Sequence, residues 1–338
     1  MDKRDIIVVG ASAGGIEPLT DLVARLPADL AATVLVVVHL PADDETRLPE
    51  ILSRGAELRV KLADDGEPLQ PGAIRLAPPG RHLEINEAAT ALSYGPRENG
   101  FRPAIDVLFR SAAAAAGARV IGVILSGALD DGAAGMVAVR LRGGVGIVQD
   151  PDEALHPSMP QAAIDAADVD HVVPAAKIVD LVLELIDRPA PLTDSGPVSE
   201  LMATEVSMVA PQATAVDLAE HPGEPSAFVC PDCSGPLYEI DEGRLTRYRC
   251  RVGHAWSPLS LAKQHSRVAE NALWTAAETL EEKAALRERL AGRAREDGRD
   301  AAAEHLQRTA RTARENARQI RRIIEDAASG AEPSHQDN

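Results

Sequence analysis

Short apolar runs rich in valine and isoleucine alternate with amphipathic segments from residue 5 to about residue 188. That alternation restricts the fold of this chain more than any other feature. The runs fall at 5–9, 34–38, 58–62, 73–77, 120–126, 145–148 and 171–173, and helical periodicity fills the gaps at 15–26, 44–54, 104–116, 132–142, 160–167 and 175–187. Strands that are apolar on both faces need cover on both sides, which helices flanking a parallel sheet provide. The expected fold is therefore α/β, a Rossmann-like, doubly wound, mainly parallel sheet. In such sheets ligands bind beyond the carboxyl ends of the strands, where the winding reverses.

Composition narrows the partners. Of 338 residues, 45% are hydrophobic but only 2% aromatic, so the core must be built from Ala, Val, Leu and Ile. A net charge of −17 argues against nucleic acid and against an anionic membrane as the main partner. No stretch is long and apolar enough to span a bilayer, so membrane insertion is not expected, and the short apolar run after Met1-Asp-Lys-Arg-Asp5 is no signal sequence. The chain reads as cytoplasmic.

Three residues with the chemistry of acyl transfer follow predicted strands. Ser12 lies in Gly10-Ala-Ser12-Ala-Gly14-Gly15, directly after Ile6-Ile-Val-Val9; His39 ends Val34-Leu-Val-Val-Val38; Asp131 lies in Ser126-Gly-Ala-Leu-Asp130-Asp131-Gly132, after the run 120–125. A serine hydroxyl needs a base to take its proton, and a carboxylate holds the base in the right tautomer. Asp130 is the alternative carboxylate. The order Ser, His, Asp differs from the Ser, Asp, His order of α/β-hydrolases. The competing reading of the first loop is a phosphate-binding turn, but a dinucleotide fingerprint wants glycine where this chain has Ser12. Arg102 and Asp106 can line the crevice or simply open a helix. His82 reads as structural or as part of the site rim, and His156 and His171 as ordinary surface or strand-end residues.

Several blocks in one order resemble the catalytic domain of the chemotaxis protein-glutamate methylesterases (CheB type). They are the Ser12 loop, Val37-Val-His39-Leu-Pro41, Leu76-Ala-Pro-Pro-Gly-Arg-His82-Leu83, Arg102-Pro-Ala-Ile-Asp106-Val-Leu-Phe109, Leu125 to Met136, and Met159-Pro160. The resemblance covers about residues 4–187. It implies that Ser12 is the nucleophile, His39 the base and Asp131 the orienting carboxylate, with no catalytic cofactor. The implied reaction is hydrolysis of glutamate γ-methyl esters on the cytoplasmic helices of a receptor, with glutamine deamidation as a side activity. The chain departs from the family pattern at Ser126-Gly127-Ala128-Leu129, where Thr-Gly-Met-Gly is usual, so a methionine wall beside the serine is not expected. With a first strand at residue 5, regulation by a receiver domain in cis is not expected either. The alternative is a signalling scaffold with a weak esterase domain.

The remainder reads as four further segments. Prolines punctuate a linker at 189–226, with a short helix near 199–208. At 227–256 lies a small Cys/His unit. Cys230-Pro-Asp-Cys233 and Cys250-Arg-Val-Gly-His254 offer a Cys₃His set at zinc-knuckle spacing, so a structural Zn²⁺ closed by four ligands is expected; the alternative is a redox pair at Cys230 and Cys233. Ser257-Pro258 then opens a helical hairpin over 257–328, broken at Gly298, with Val268, Ala272, Ala276, Leu280, Leu286 and Leu290 facing Leu306, Ala310, Ala313, Ala317, Ile320 and Ile324. Any leftover apolar face of this tail is a candidate docking site for signalling proteins. Residues 329–338 are expected to be disordered. The linker is expected to leave the esterase independent of the metal unit.

Overall fold

The structure, a computed structural model, describes residues 3–40, 46–190, 198–209 and 223–329. The chain runs β1 (Ile6–Ala11), α1 (Ile16–Ala24), β2 (Thr33–Val38), α2 (Leu48–Leu52), β3 (Arg59–Leu62), β4 (Ala73–Leu76), β5 (His82–Asn86), β6 (Ala89–Ser93), α3 (Ile105–Ala116), β7 (Val120–Ile124), α4 (Ala133–Leu141), β8 (Val145–Gln149), α5 (Ser158–Ala166), β9 (His171–Val173) and α6 (Ala175–Asp187). Seven strands form one sheet in the order β3-β4-β2-β1-β7-β8-β9, and every pair in it is parallel. Each expected strand is present in that sheet. The expected doubly wound α/β architecture is the observed one.

Alternating residues of each central strand supply the two cores. Ile7, Val9, Val34, Val36, Ile121 and Val123 pack with Leu19 and Leu22 of α1, Leu52 of α2 and Ile178 and Val182 of α6. On the other face Ile6, Val8, Leu35, Val37 and Val120 pack with Leu108 and Phe109 of α3, Met136 of α4 and Met159 of α5. Both faces are covered, which is why these strands read as continuous apolar runs. The winding reverses at β1, with β2 on one side and β7 on the other, so a crevice opens at their carboxyl ends.

The antiparallel hairpin of β5 and β6 lies outside the expected elements. Its strands carry His82, Glu84, Thr90 and Ser93 at buried positions, which hides the apolar pattern that marks a strand. These polar groups are tolerated because they are bonded; Ser93 Oγ, for example, donates to Glu84 at 2.7 Å.

Two segments of the expected linker, 191–197 and 210–222, lie outside the described residues. Between them, α7 (Glu200–Val209) packs on α3, burying Met202, Glu205, Met208 and Val209. The small unit is an antiparallel sheet of β10 (Glu224–Val229), β11 (Pro236–Glu242), β12 (Leu245–Cys250) and β13 (Ala255–Trp256). Its own apolar cluster is small, with Leu237, Tyr248, Trp256 and Leu261 around Cys230 and Cys250.

This sheet belongs to one compact unit with the α/β layers, Met1–Leu261. Buried charge joins them. Arg249 on β12 donates to Glu98 and to Glu205, both at 2.9 Å; Arg110 on α3 donates to Glu98 at 2.6 Å; Arg247 on β12 donates to both oxygens of Glu205 at 2.6 and 3.0 Å and also pairs with Glu242. Burial works against ionisation of Glu98 and Glu205, but the surrounding guanidinium charges hold both below the ordinary carboxylate range.

The second compact unit is Ala262–Asn338, formed by most of α8 (Pro258–Glu296) and by α9 (Asp300–Ser329), with Gly298 at φ +72° in the turn between the helices. The seam is the expected one on α9, where Ala310, Ala313, Ala317 and Ile324 are buried, and at Leu280 of α8, but it differs over the rest of α8. Ala277, Ala284 and Ala291 are buried at seven-residue spacing, as are Ala303, Ala310 and Ala317, whereas Val268, Leu286 and Leu290 are exposed. Small alanines let two helices approach closely over a heptad seam, and that close approach outweighs the burial of larger residues on the neighbouring stripe. The expected disordered tail falls, at 330–338, outside the described residues. No described helix is long and apolar enough to cross a membrane.

Removing one partner of a buried ion pair strands the other charge. Glu205→Ala leaves Arg247 and Arg249 short of a carboxylate, and should lower stability by about 3–5 kcal/mol in urea unfolding of the full chain. A loss within the ±0.5 kcal/mol typical of a surface change would show that the network does not hold the ribbon sheet in place.

Candidate active site

Ser12 follows the last residue of β1 and is strapped to the loop after β7. Its N–H donates to Ser126 O at 3.0 Å, and its carbonyl accepts from Gly15 N–H at 3.0 Å. Two glycines make this turn feasible. Gly14 sits at φ +70°, a region costly for other residues. A Cβ on Gly127 would lie 3.0 Å from Ser12 Cβ and 2.4 Å from Met159 Cε, so the backbone passes the serine with no room for a side chain. Ser126 Oγ donates to Ala13 O at 2.9 Å and accepts from His156 N–H at 3.0 Å, tying a third loop to the turn. The methionine beside the Ser12 turn is thus Met159, buried beneath Gly127, while Leu129 stands at φ +68° with its N–H on Ser158 Oγ.

His39, just past β2, reaches both other candidates. Its Nδ1 lies 3.0 Å from Ser12 Oγ and its Nε2 lies 2.7 Å from Asp131 Oδ2. Phe101 stacks on the imidazole at 3.6 Å between ring centroids and 4° between planes, which fixes the ring orientation. Asp131 is fully buried. Burial alone would raise its pKa, but hydrogen bonds from His39, from Ile105 N–H at 2.7 Å and from Asn99 Nδ2 at 3.1 Å outweigh it and hold the carboxyl below its ordinary value. An ionised Asp131 only accepts, so Nε2 carries the imidazole proton. Nδ1 then presents a lone pair to the Ser12 hydroxyl.

The two neighbouring acids have other surroundings. Burial raises Asp130 to about 6, and the carboxylate that touches His39 is that of Asp131. Asp106 Oδ1 accepts from Gly132 N–H at 3.0 Å and Gly135 N–H at 2.6 Å, at the start of α4, while Asp131 accepts the first amides of α3. Each carboxylate therefore caps the helix that the other belongs to or precedes. Burial, then the charge of Asp131, push Asp106 well above its ordinary pKa.

Asn99, Phe101 and the capping role of Asp106 were not found by sequence reasoning. Asn99 is buried at φ +54°, a left-handed conformation that asparagine tolerates. The Asn99-Gly100 pair was a readable turn signal, but its contacts across the fold were not. Arg102 donates to the carbonyls of Tyr94 and Gly95 at 3.0 Å each. His82 Nε2–H donates to Pro96 O at 3.0 Å and Nδ1 accepts from Ala104 N–H at 3.3 Å, so it buttresses the start of α3. His156 serves the Ser12 loop through its backbone, and His171 opens β9.

The four Cys/His residues converge as the spacing implied. The ligand atoms of Cys230, Cys233, Cys250 and His254 all lie within 4.8 Å of one another, with Cys233 Sγ 3.6 Å from Cys250 Sγ and Cys250 Sγ 3.5 Å from His254 Nδ1. Sulfurs on a tetrahedral zinc with bonds of about 2.3 Å stand about 3.8 Å apart, so the donor set fits that ion and is too open for a disulfide. The expected independence from the esterase is not what the contacts show. Asn99 Oδ1 accepts from Ser257 N–H and Ser260 Oγ–H, both at 2.9 Å, just beyond β13.

The chain is also similar to known proteins. The family described as CheB methylesterase matches residues 7–182. A putative protein-glutamate methylesterase/protein-glutamine glutaminase of Leptospira interrogans is 37% identical over 182 residues, covering 54% of this chain and 94% of that protein. The protein-glutamate methylesterase/protein-glutamine glutaminase of group 3 operon from Bradyrhizobium diazoefficiens is 40% identical over 173 residues, covering 50% of this chain and 47% of its own length. The crystal structure of the Thermotoga maritima CheB methylesterase catalytic domain superposes with a TM-score of 0.53 at 33% identity, covering 55% of this chain and all of that one.

His82 carries a pH signature. Burial above all lowers its pKa to about 4, against 6.5 for an exposed histidine. The neutral ring is favoured in the folded state, so its contribution is present above pH 6.5 and is lost as pH falls from 6.5 through 4. Denaturant unfolding against pH should show stability declining over that window by up to about 1.4 kcal/mol per pH unit for this proton. His82→Gln should lose that part of the slope; an unchanged slope would mean that His82 titrates alike in the folded and unfolded states.

Proposed function

The chain belongs to the CheB methylesterase family, and from that premise we propose that it hydrolyses glutamate γ-methyl esters on the cytoplasmic helices of a receptor in chemotaxis-like signalling, using Ser12, His39 and Asp131. The Ser12–His39–Asp131 relay, at 3.0 and 2.7 Å, carries this reading. The names of the Leptospira and Bradyrhizobium proteins support both the ester substrate and a second, glutamine-deamidating activity.

Ser12 Oγ attacks the ester carbonyl carbon as its proton passes to His39 Nδ1. The imidazolium formed is stabilised by ionised Asp131 through Nε2–H. Backbone N–H groups of the turn at the start of α1 receive the oxyanion, where the helix terminus favours negative charge. Collapse of the tetrahedral adduct breaks the bond to methoxide, which takes the proton from His39 and leaves as methanol. Water, deprotonated by the same imidazole, then attacks the acyl-enzyme. The products are the glutamate side chain and free Ser12. The Ser12–His39–Asp131 contacts favour the esterase over the weak-scaffold alternative. No cofactor takes part in these steps. The site of action is the cytoplasm, where receptor signalling helices lie.

We further propose that Cys230, Cys233, Cys250 and His254 hold a structural Zn²⁺. Four protein ligands close the site, which suits folding rather than catalysis. A sheet with so small an apolar cluster gains much of its folding free energy from the metal.

Ser12→Ala should reduce methanol release from methylated receptor by about 10³-fold or more while leaving circular dichroism unchanged. Asp131→Asn should reduce kcat on a similar scale, and Asp130→Asn far less. Reversal of that ranking would move the carboxylate role to Asp130. Elemental analysis of the purified full chain should find one Zn²⁺ per chain, and Cys233→Ser should carry none. A metal-free chain with an ordered ribbon sheet would refute the zinc assignment.

A further inference from the structure

We propose that the ribbon sheet is a working part of the esterase site: its exit segment at Ser257 and Ser260 fixes the side-chain amide of Asn99, and Asn99 orients the Asp131 carboxylate against His39. The inference rests on the triad reading above and goes beyond it, since the matched family segment, residues 7–182, ends before the ribbon residues.

The amide of Asn99 has one permitted orientation. Oδ1 accepts from Ser257 N–H and from Ser260 Oγ–H, and both are donors. Nδ2 therefore faces the acids, donating to Asp131 Oδ1 at 3.1 Å and to Asp106 Oδ2 at 3.0 Å. A flipped amide would set its oxygen against the ionised Asp131 carboxylate and its NH₂ against the Ser257 N–H. Asp131 is then held at both oxygens: Oδ2 by His39 and Ile105 N–H, Oδ1 by Asn99 and Asp106 N–H.

The ribbon enforces this arrangement at three further points. Asn99 N–H donates to Ala255 O on β13 at 2.8 Å. The adjacent Glu98 accepts from Arg249, whose other nitrogen donates to Gly253 O at 2.9 Å. Ser257 and Ser260 bond each other's backbone and side chain at the start of α8, as in a capping box, so the two donors to Asn99 move as one. The metal-ligand pair Cys250 and His254 sets the turn that leads into β13 and Ser257. Zinc loss would loosen that turn, and so release Asn99 and blunt the triad. The ribbon thus gives the esterase a dependence on the metal.

Asn99 is a positioning residue: it is buried and acts through Asp131, so its loss should lower kcat and leave KM nearly unchanged. The test uses the full chain with four variants, Asn99→Asp, Ser260→Ala, Cys233→Ser and Ser12→Ala. The readouts are kcat and KM for methanol release, and the far-downfield proton NMR resonance of the His39–Asp131 hydrogen bond. Aspartate keeps the left-handed backbone and an acceptor for Ser257 and Ser260, but sets a third carboxyl group against Asp131 and Asp106 where the amide N–H₂ donated. We expect kcat to fall about 10- to 100-fold in Asn99→Asp, a fraction of the roughly 10⁴-fold cost of a misplaced triad tautomer. A smaller fall is expected in Ser260→Ala, with the downfield resonance shifted or broadened in both. Cys233→Ser, and the parent treated with a zinc chelator, should behave alike, and the chelated parent should recover both readouts when Zn²⁺ is restored. Unchanged kcat and resonance in Ser260→Ala and in the chelated protein overturn the proposal. So does a rise in KM at constant kcat in Asn99→Asp. If Ser12→Ala stays active, the esterase reading itself fails, and the resonance still decides whether ribbon and Asp131 are coupled.

Discussion

Asp131 and Asp106 exchange places at the starts of two helices, and the site depends on that exchange. Asp131, in the loop before α4, accepts the first amides of α3; Asp106, in the first turn of α3, accepts amides at the start of α4. Neither helix carries a capping side chain of its own. The reciprocal caps lock α3 to α4, and a Cβ on Gly135 would lie only 3.1 Å from Asp106 Cα, so the helices meet at backbone distance. Two carboxyl groups this close cannot both ionise cheaply. The ring proton of His39 and the α3 terminus favour charge on Asp131, while burial and that charge push the proton toward Asp106.

The sheet topology then brings a base and a nucleophile to the fixed acid. Ser12 and His39 follow neighbouring parallel strands, and Asp131 follows the strand on the other side of β1, so all three open into one crevice. Parallel register places the ends of β1 and β2 side by side, Ala11 opposite Val38, with Ser12 and His39 each the next residue. Glycines at 14 and 127 let the loops pass closely enough for a 3.0 Å contact between His39 and Ser12. Phe101 closes the imidazole on its open face.

The ribbon sheet has too small a core to stand alone, and its arginines answer this by entering the α/β unit. A charge buried in this way is stable only when paired, so Glu98 and Glu205 tolerate no separation of the two parts. The same contact places Ser257 and Ser260 on Asn99. Docking and catalytic geometry thus share one stretch of chain, residues 98–101, of which Glu98 and Asn99 are buried and bonded to the ribbon and the partly buried Phe101 stacks on His39.

By itself the sequence determined the seven strands, the helices between them, the Cys₃His set and the candidate residues Ser12, His39 and Asp131. These are local facts: apolar period, turn glycines, ligand spacing, and position after a strand. The family resemblance already favoured Asp131 over Asp130, and the tertiary structure adds the contact itself, His39 Nε2 to Asp131 Oδ2 at 2.7 Å, because adjacent residues differ in direction, not in position along the chain. The tertiary structure alone brought Asn99, Phe101 and the capping role of Asp106 to the site and Ala277, Ala284 and Ala291 to the seam of the helical hairpin, and it alone joined the ribbon to the esterase. Those outcomes rest on hydrogen bonds and buried ion pairs between residues up to 161 positions apart, such as Asn99 and Ser260. Their polar side chains carry no period that marks a partner. Hydrophobic pattern places elements; the pairing of buried polar groups is decided only when folding removes the water that would otherwise satisfy them.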